Sequence, residues 1–463
     1  MKKILLEKPV LLFGIPIMLL CIIIALVLVI VLGRDDGPMP DRVTITYANW
    51  NLGRNHDNAL ELRMIRSFMD EHPHIAVEID ESIAQPWMGS LTAAASANRL
   101  PDVFMLDDIG AKVANGWLMN ITSLAVVDVD FFDLPRITQE AVMLNGAVHA
   151  LPFAQDIYGY FVNRDLFREL GLEPPSFGIS AEAFFSAVRA TTNLNRPSIG
   201  LNHTRSFVDW YPGAVNPHMG FFAYDGLGFA LNSAEMLEGI RIAAELHRNG
   251  YTFEGIPADR VTGYFPIGYD LGAFRTGQMA FFYGGAGLMD MMVNQVAFDW
   301  DFIGVPGGRA IATLEVLGIS ATSNHPEEAY LFARWMGHSV EGNLRRMQYA
   351  RELGEIPGSL PISNNAQVLE ALLQIIPAAG LGDVYAAMDR ILIDGQTVLP
   401  GYMQARFSAP TGVAIAGTYH TNAGIDPLIL YSIIGDVNFA DYSAMAEELA
   451  REQLEAAMDR LRP

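Results

Sequence analysis

The chain has 463 residues, 51% of them hydrophobic, and a formal net charge of -22. That length supports two lobes with cores of their own, and the acidity argues against nucleic-acid binding and against adhesion to anionic headgroups, which need basic surface. The single cysteine, Cys21, leaves no intrachain disulfide and no cysteine metal cluster.

Val10 to Leu32 carries no charged residue, which is long enough to cross a bilayer. Lys2, Lys3 and Lys8 precede it, Arg34, Asp35 and Asp36 follow it, and beyond it the only lysine is Lys112. The positive-inside rule therefore assigns residues 1–9 as a cytoplasmic stub, 10–32 as a transmembrane anchor and the body to the extracytoplasmic side of the cell membrane. A cleaved signal peptide would have a shorter core ending in a small-x-small site, which is missing here. The apolar Leu20 and Ile22-Ile23-Ile24 around Cys21 do not suit lipid attachment. Residues 33–41 (GRDDGPMPD) read as a linker, because glycine, proline and aspartate prevent regular structure.

The body alternates strands and helices. Val43 to Ala48 (VTITYA) is β-branched and apolar and reads as a buried strand. Asp57 is placed to cap a helix running to about Met69, with Leu60, Met64, Ile65 and Phe68 on one face, and His72-Pro73 ends it. Ile75 to Ile79 is a second strand, Trp87 to Asn98 a small-residue helix, and Asp102 to Leu106 a third strand ending in Asp107-Asp108. Strands follow at Asp156 to Val162, Gln278 to Tyr283, Phe302 to Pro306 and Val316 to Ser320. Between and after them lie helices around Phe184 to Thr191 and Leu237 to Ala244, one from Pro326 to Met336, and a C-terminal one from Ser443 to Leu461. This order predicts an α/β fold with a mostly parallel sheet covered on both faces. Ligands bind such sheets beyond the carboxyl ends of the strands, where Trp50 and Asp107 fall.

Seven local motifs then carry a resemblance. Phe68 to Val77 (FMDEHPHIAV) looks like "FxxEHPxIxV", Ala95 to Phe104 (ASANRLPDVF) like "ASGxxPDVF", and Ala147 to Pro152 (AVHALP) like "GKxYALP". Tyr160 to Phe167 (YFVNRDLF) is similar to "xYYNKDLF", Gly277 to Phe281 (GQMAF) to "GKAAM", His325 to Ala329 (HPEEA) to "NPEAA", and Gly358 to Pro361 (GSLP) to "GxLP". In this order they resemble the family 1 extracellular solute-binding proteins of ABC importers. The resemblance implies a two-lobed type II periplasmic-binding-protein fold with hinge crossings near Pro152-Gln155, Val305-Gly308 and Arg345-Gly354. Lobe one would comprise 42–153 and 305–345, and lobe two 154–304 and 346–463.

It also implies a hydrophilic ligand, a sugar or oligosaccharide, an ABC permease as partner, a monomer, and neither metal nor cofactor. A non-sugar solute such as a polyamine, a peptide or a phosphorylated metabolite stays open, as does a sensor role. A sugar site needs aromatic platforms with carboxylates or amides beside them. The candidates are Trp50 and Asn51 after the first strand, Asp107 and Asp108 after the third, and Asp156 and Tyr158 at the first crossing. To these are added Trp210 among turn-forming residues, Tyr283 and Gly285 after the "GKAAM"-like motif, and Glu315 before a strand. Where relatives carry a tryptophan after that motif this chain has Gly287, so one stacking platform is missing. Asp108 is equally suited to capping a helix.

Enzyme signatures are weak. His72 and His74 lack the spacing of a zinc helix, and Gly284-Gly285-Ala286-Gly287 lacks the Lys-Ser or Lys-Thr of a phosphate loop. The sequence contains no G-x-S-x-G elbow. The expectation is a binding protein without catalytic residues.

Overall fold

A computed structural model describes residues 42–462. The cytoplasmic stub, the anchor and the linker (1–41) lie outside the described residues. Among the described residues no helix is long and apolar enough to cross a membrane.

Among the described residues, nine strands form one continuous sheet: β1 Val43–Ala48, β2 Ile75–Ile79, β3 Val103–Leu106, β4 Ala150–Asn163, β5 Ile199–Leu201, β6 Met279–Gly284, β7 Trp300–Phe302, β8 Ile311–Ile319 and β9 Leu392–Ile393. Their order is β2-β1-β3-β8-β4-β6-β5, with β9 on β8 and β7 on β4. The outer pairs β1–β2, β1–β3 and β5–β6 are parallel, as is β8–β9. The central pairs β3–β8, β8–β4, β4–β6 and β4–β7 are antiparallel. The mostly parallel sheet expected from the sequence is therefore corrected to a mixed one. The cause is β4, a 14-residue strand rather than a seven-residue one. Its first part pairs with β8 and its last part with β6 and β7, so a single strand runs through both halves of the sheet. Pro152 cannot donate to the ladder, and the register between β4 and β8 slips there, leaving Phe153 unpaired between Pro152 and Ala154.

Helix Ala59–Glu71 packs Met64, Ile65 and Phe68 inward, as the apolar spacing predicts. Its cap is Asn58, whose side chain accepts from the Leu60 and Glu61 amides at 3.1 and 3.3 Å, so the cap expected at Asp57 shifts by one residue. Phe68 meets Phe332 edge-on at 5.0 Å, and Phe332 meets Tyr47 at 4.8 Å, which ties this helix and helix Pro326–Met336 to β1. A second core gathers Tyr160, Phe184, Trp210, Phe222 and Leu428 around β4, β5 and β6.

The first expected crossing lies within β4. The second, at 305–308, is a tight turn between β7 and β8, with Gly307 and Gly308 at φ of 86° and 67°. Arg345 to Gly354, the expected third crossing, is instead the latter part of helix Val340–Leu353 and its left-handed cap at Gly354. That helix packs on Ala59–Glu71. The chain returns to β4 only afterwards, where the Leu360 and Gln155 backbones exchange hydrogen bonds of 2.8 and 3.0 Å.

Candidate ligand site

The site is built on one face of the β4–β8 pair. Thr313 lies opposite Asp156, Glu315 opposite Ala154, and Ile311 opposite Tyr158. Side chains alternate along a strand, so Asp156, Tyr158, Thr313 and Glu315 share a face.

The turn after β1 reaches that face. Asn49 accepts from the Asn51 amide at 2.7 Å and itself donates to the Tyr47 hydroxyl at 2.6 Å. With its backbone so fixed, Asn51 donates from Nδ2 to Glu315 Oε2 at 3.0 Å, and Ser359 donates to Glu315 Oε1 at 3.0 Å. Burial raises the Glu315 pKa; the two hydrogen bonds pull against it, and the charge of Asp156 pushes it further up. Asp156 accepts the Ala286 amide at 2.8 Å. Burial raises its pKa too, against the hydroxyl of Tyr158 and the Ala286 amide.

The Tyr158 ring stacks on Tyr283, with centroids 6.1 Å apart and planes at 24°. Burial and the neighbouring carboxylates Asp156, Asp394 and Glu315 hold the Tyr158 hydroxyl protonated well above the ordinary tyrosine range. Asn202 clamps the Tyr283 backbone from both sides, at 3.0 and 3.1 Å. Gly285 is where the chain must come close: a Cβ there would stand 2.8 Å from Asp156 Oδ1 and 2.9 Å from the Tyr158 ring. Asp394 closes the group, accepting weakly from Thr313 at 3.4 Å.

Six of the ten residues singled out in the sequence are thus brought together: Asn51, Asp156, Tyr158, Tyr283, Gly285 and Glu315. Asp107 follows β3, whose Leu106 pairs with Val316, so it emerges beside the Glu315 end of β8. Its half-exposed carboxylate is already paired with the buried Lys112 ammonium. Trp50 is half-buried and meets Trp87 edge-on at 5.6 Å. Asp108 caps the next helix, accepting the Ala111 amide at 2.9 Å. Trp210 is 0% exposed and donates to the Tyr160 hydroxyl at 3.0 Å, so it is core and presents no face to a ligand. Its turn-forming neighbours misled because Pro212 sits inside helix Phe207–Val215 instead of ending it.

The sequence reading missed Thr313, Ser359, Asp394 and Asn202. Thr313 follows from strand alternation with Glu315, Ser359 stands inside the Gly358–Pro361 motif, and Asn202 lies just past β5 as Trp50 lies near the end of β1. Asp394 carries no local signal.

A recess of about 400 Å³ opens beside Tyr283 and is lined by His203, Arg205, Asp209, Arg406 and Asp426. Arg406 is fully used there: it holds Asp209 at 2.8 Å, Asp426 at 3.0 Å and the Tyr402 hydroxyl at 2.7 Å, and lies 4.1 Å over the Phe222 ring. Burial pushes Asp209 up to about 7 against the pull of Arg406. Among the described residues no three His, Cys, Asp or Glu side chains gather closely enough to hold a metal ion.

Residues 57–185 match the sequence model described as "Bacterial extracellular solute-binding protein". The fold of the body is shared with solved structures of low sequence identity. The chain is similar to an ABC substrate-binding protein of Listeria monocytogenes in complex with cycloalternan, at 19% identity and TM-score 0.62, covering 91% of this chain and 98% of that one. It is similar to a Rhizobium etli sugar transporter in an open conformation, at 14% identity and TM-score 0.66, covering 89% and 99%. A cyclic α-maltosyl-1,6-maltose binding protein of Arthrobacter globiformis gives 18% identity and TM-score 0.64, covering 90% and 100%. No curated protein matches the chain in sequence.

Proposed function

We propose that the chain captures a small hydrophilic solute, a sugar or oligosaccharide, between two lobes and passes it to an ABC permease. The observation that carries this reading is the shared face of β4 and β8, where carboxylates, an amide and a stacked tyrosine pair stand together. Asp156 and Glu315 accept hydroxyl protons, Asn51 offers an amide, and Tyr158 and Tyr283 present apolar ring faces to C–H bonds. Three similar structures are of proteins described as binding a saccharide or transporting sugar, in support.

The lobes of this reading are 42–153 with 305–345, extended through Leu353 because that helix packs on Ala59–Glu71, and 154–304 with the remaining C-terminal part. The closed form is favoured by whatever extra contacts the solute gains there. Residues 10–32 anchor the body outside the membrane, next to the permease, as a monomer; tethering raises the effective concentration of each for the other.

An amine-bearing solute such as a polyamine is the second reading. It is favoured by the charge of the site, where Asp156, Glu315 and Asp394 stand together while Lys112 is held by Asp107 and Arg346 by Glu61. The same charge weighs against phosphorylated ligands.

The test is the melting temperature of the full chain in nanodiscs against saccharides, polyamines and phosphorylated sugars. A ligand that binds only the folded state must raise it. A saccharide shift that Asp156→Asn and Tyr283→Ala both abolish supports the first reading. A shift with polyamines alone replaces it with the second.

A further inference from the structure

A second cavity, of about 720 Å³, shares no residue with the site on β4 and β8. It lies between residues 137–145 on one side and 217–229, 391–400 and Met458 on the other. Its walls are mainly hydrocarbon, with Leu144, Phe229 and Leu399 among them. Arg309 and Arg390 stand at it together. Neither guanidinium pairs with a carboxylate among the described residues; that of Arg309 donates a hydrogen bond of 3.3 Å to the Met219 carbonyl. Burial disfavours the charge of the half-buried Arg309, and the Arg390 guanidinium nearby adds to that cost. Of the carboxylates on the rim, Glu140 is held by Arg136 at 2.6 Å, and Asp389 is exposed to solvent.

A half-buried guanidinium with no carboxylate partner, set beside a second one at the edge of an apolar space, is an arrangement that a bound anion relieves. The volume is that of a small-molecule site, and hydrocarbon walls with a few placed polar groups are what such sites have. We infer that this cavity binds a single-chain amphiphilic anion, of the fatty-carboxylate class, with its tail against Leu144, Phe229 and Leu399 and its head between Arg309 and Arg390. The inference stands independently of the solute reading, because it uses none of that site's residues.

The test is photoaffinity labelling of the full chain in phosphatidylcholine nanodiscs with a diazirine-bearing decanoate, and in parallel with the matching decanol. Decanoate labels residues 217–229 and 391–400, and excess unlabelled decanoate removes the label. Arg390 is exposed, so Arg390→Glu folds and reverses the local charge; it cuts this labelling at least about tenfold, the scale of a lost charge-assisted hydrogen bond. Leu399→Trp fills the cavity and does the same without touching the charge. Asp156→Asn leaves the labelling unchanged, which keeps this result separate from any failure of the solute reading. Labelling confined to residues 10–32, equal labelling by decanol, or an undiminished signal in Arg390→Glu overturns the inference.

Discussion

Asp128→Asn tests whether a buried carboxylate holds the first half of the molecule together. The Asp128 side chain is 4% exposed and receives the Tyr330 hydroxyl and His338 Nε2, each at 2.9 Å, and Arg334 at 3.2 Å. It also caps Val129–Phe132, accepting the Asp130 amide at 3.1 Å. One carboxylate therefore ties a short helix to Pro326–Met336 and to His338, about 200 positions along the chain. Breaking a buried pair from one side costs about 3–5 kcal/mol. Arg334 is 27% exposed and keeps Asp130 at 2.6 Å, so it is not stranded, and the cost belongs near the lower end, about 3 kcal/mol. Tyr330→Phe removes one neutral donor and costs about 1 kcal/mol. Burial opposes the Asp128 charge, but His338, Arg334 and Tyr330 outweigh it and hold the carboxyl well below the usual carboxylate range. A depressed pKa stabilises the fold above the unfolded-state value, near 4, and this contribution fades as pH falls through the folded-state value. The difference between wild type and Asp128→Asn is therefore full from pH 5 to 7 and shrinks below about pH 4. Pulse proteolysis of the full chain in urea, repeated across that range, measures it. A cost under about 1 kcal/mol at pH 7, or one that grows toward pH 3, refutes the reasoning.

Gly285→Ala brings a methyl within 2.8 Å of Asp156 Oδ1 and 2.9 Å of Tyr158 without backbone strain, since φ is -99°. It should cost about 1–3 kcal/mol of stability, read by urea denaturation, and weaken the solute as Asp156 and Tyr158 are pushed from their places, read by titration calorimetry with the saccharide found by thermal shift. Glu315→Gln should raise the melting temperature at pH 7 while weakening the solute. Burial raises that carboxyl's pKa, so stability falls as pH rises from the unfolded-state value through the folded one, and the neutral amide escapes the penalty. Trp210→Ala should cost about 3–5 kcal/mol of stability, because the ring is wholly buried and the Tyr160 hydroxyl loses its partner. Wild-type affinity in whatever folded fraction remains would agree with a core role for Trp210, and a selective loss of affinity would return it to the site.

What the sequence discloses here follows the range over which each signal acts. The helix Pro326–Met336 is legible to the residue because its start is marked locally by Pro326, Glu327 and Glu328 at the positive helix end. The length of β4 is not legible, because Ala150–Gln155 reads only as the end of a motif and a hinge crossing until β8 arrives from about 160 positions away to pair with it. The same distance decides the site. Asn51 and Asp156 are identifiable from their places beyond a strand and at a crossing, and Glu315 from its place before a strand. The face these carboxylates share runs from Ala154 to Tyr158 in unbroken register with Ile311 to Glu315, so the slip at Phe153 leaves it alone and resets only Ala150 to Pro152 against Val316 to Gly318. Pro152 is read in the sequence as part of a motif. In the fold it marks the position where the strand yields one residue of register, and that residue sets how Ala150 to Pro152 face Val316 to Gly318, while the site residues from Ala154 onward keep an unbroken register with β8.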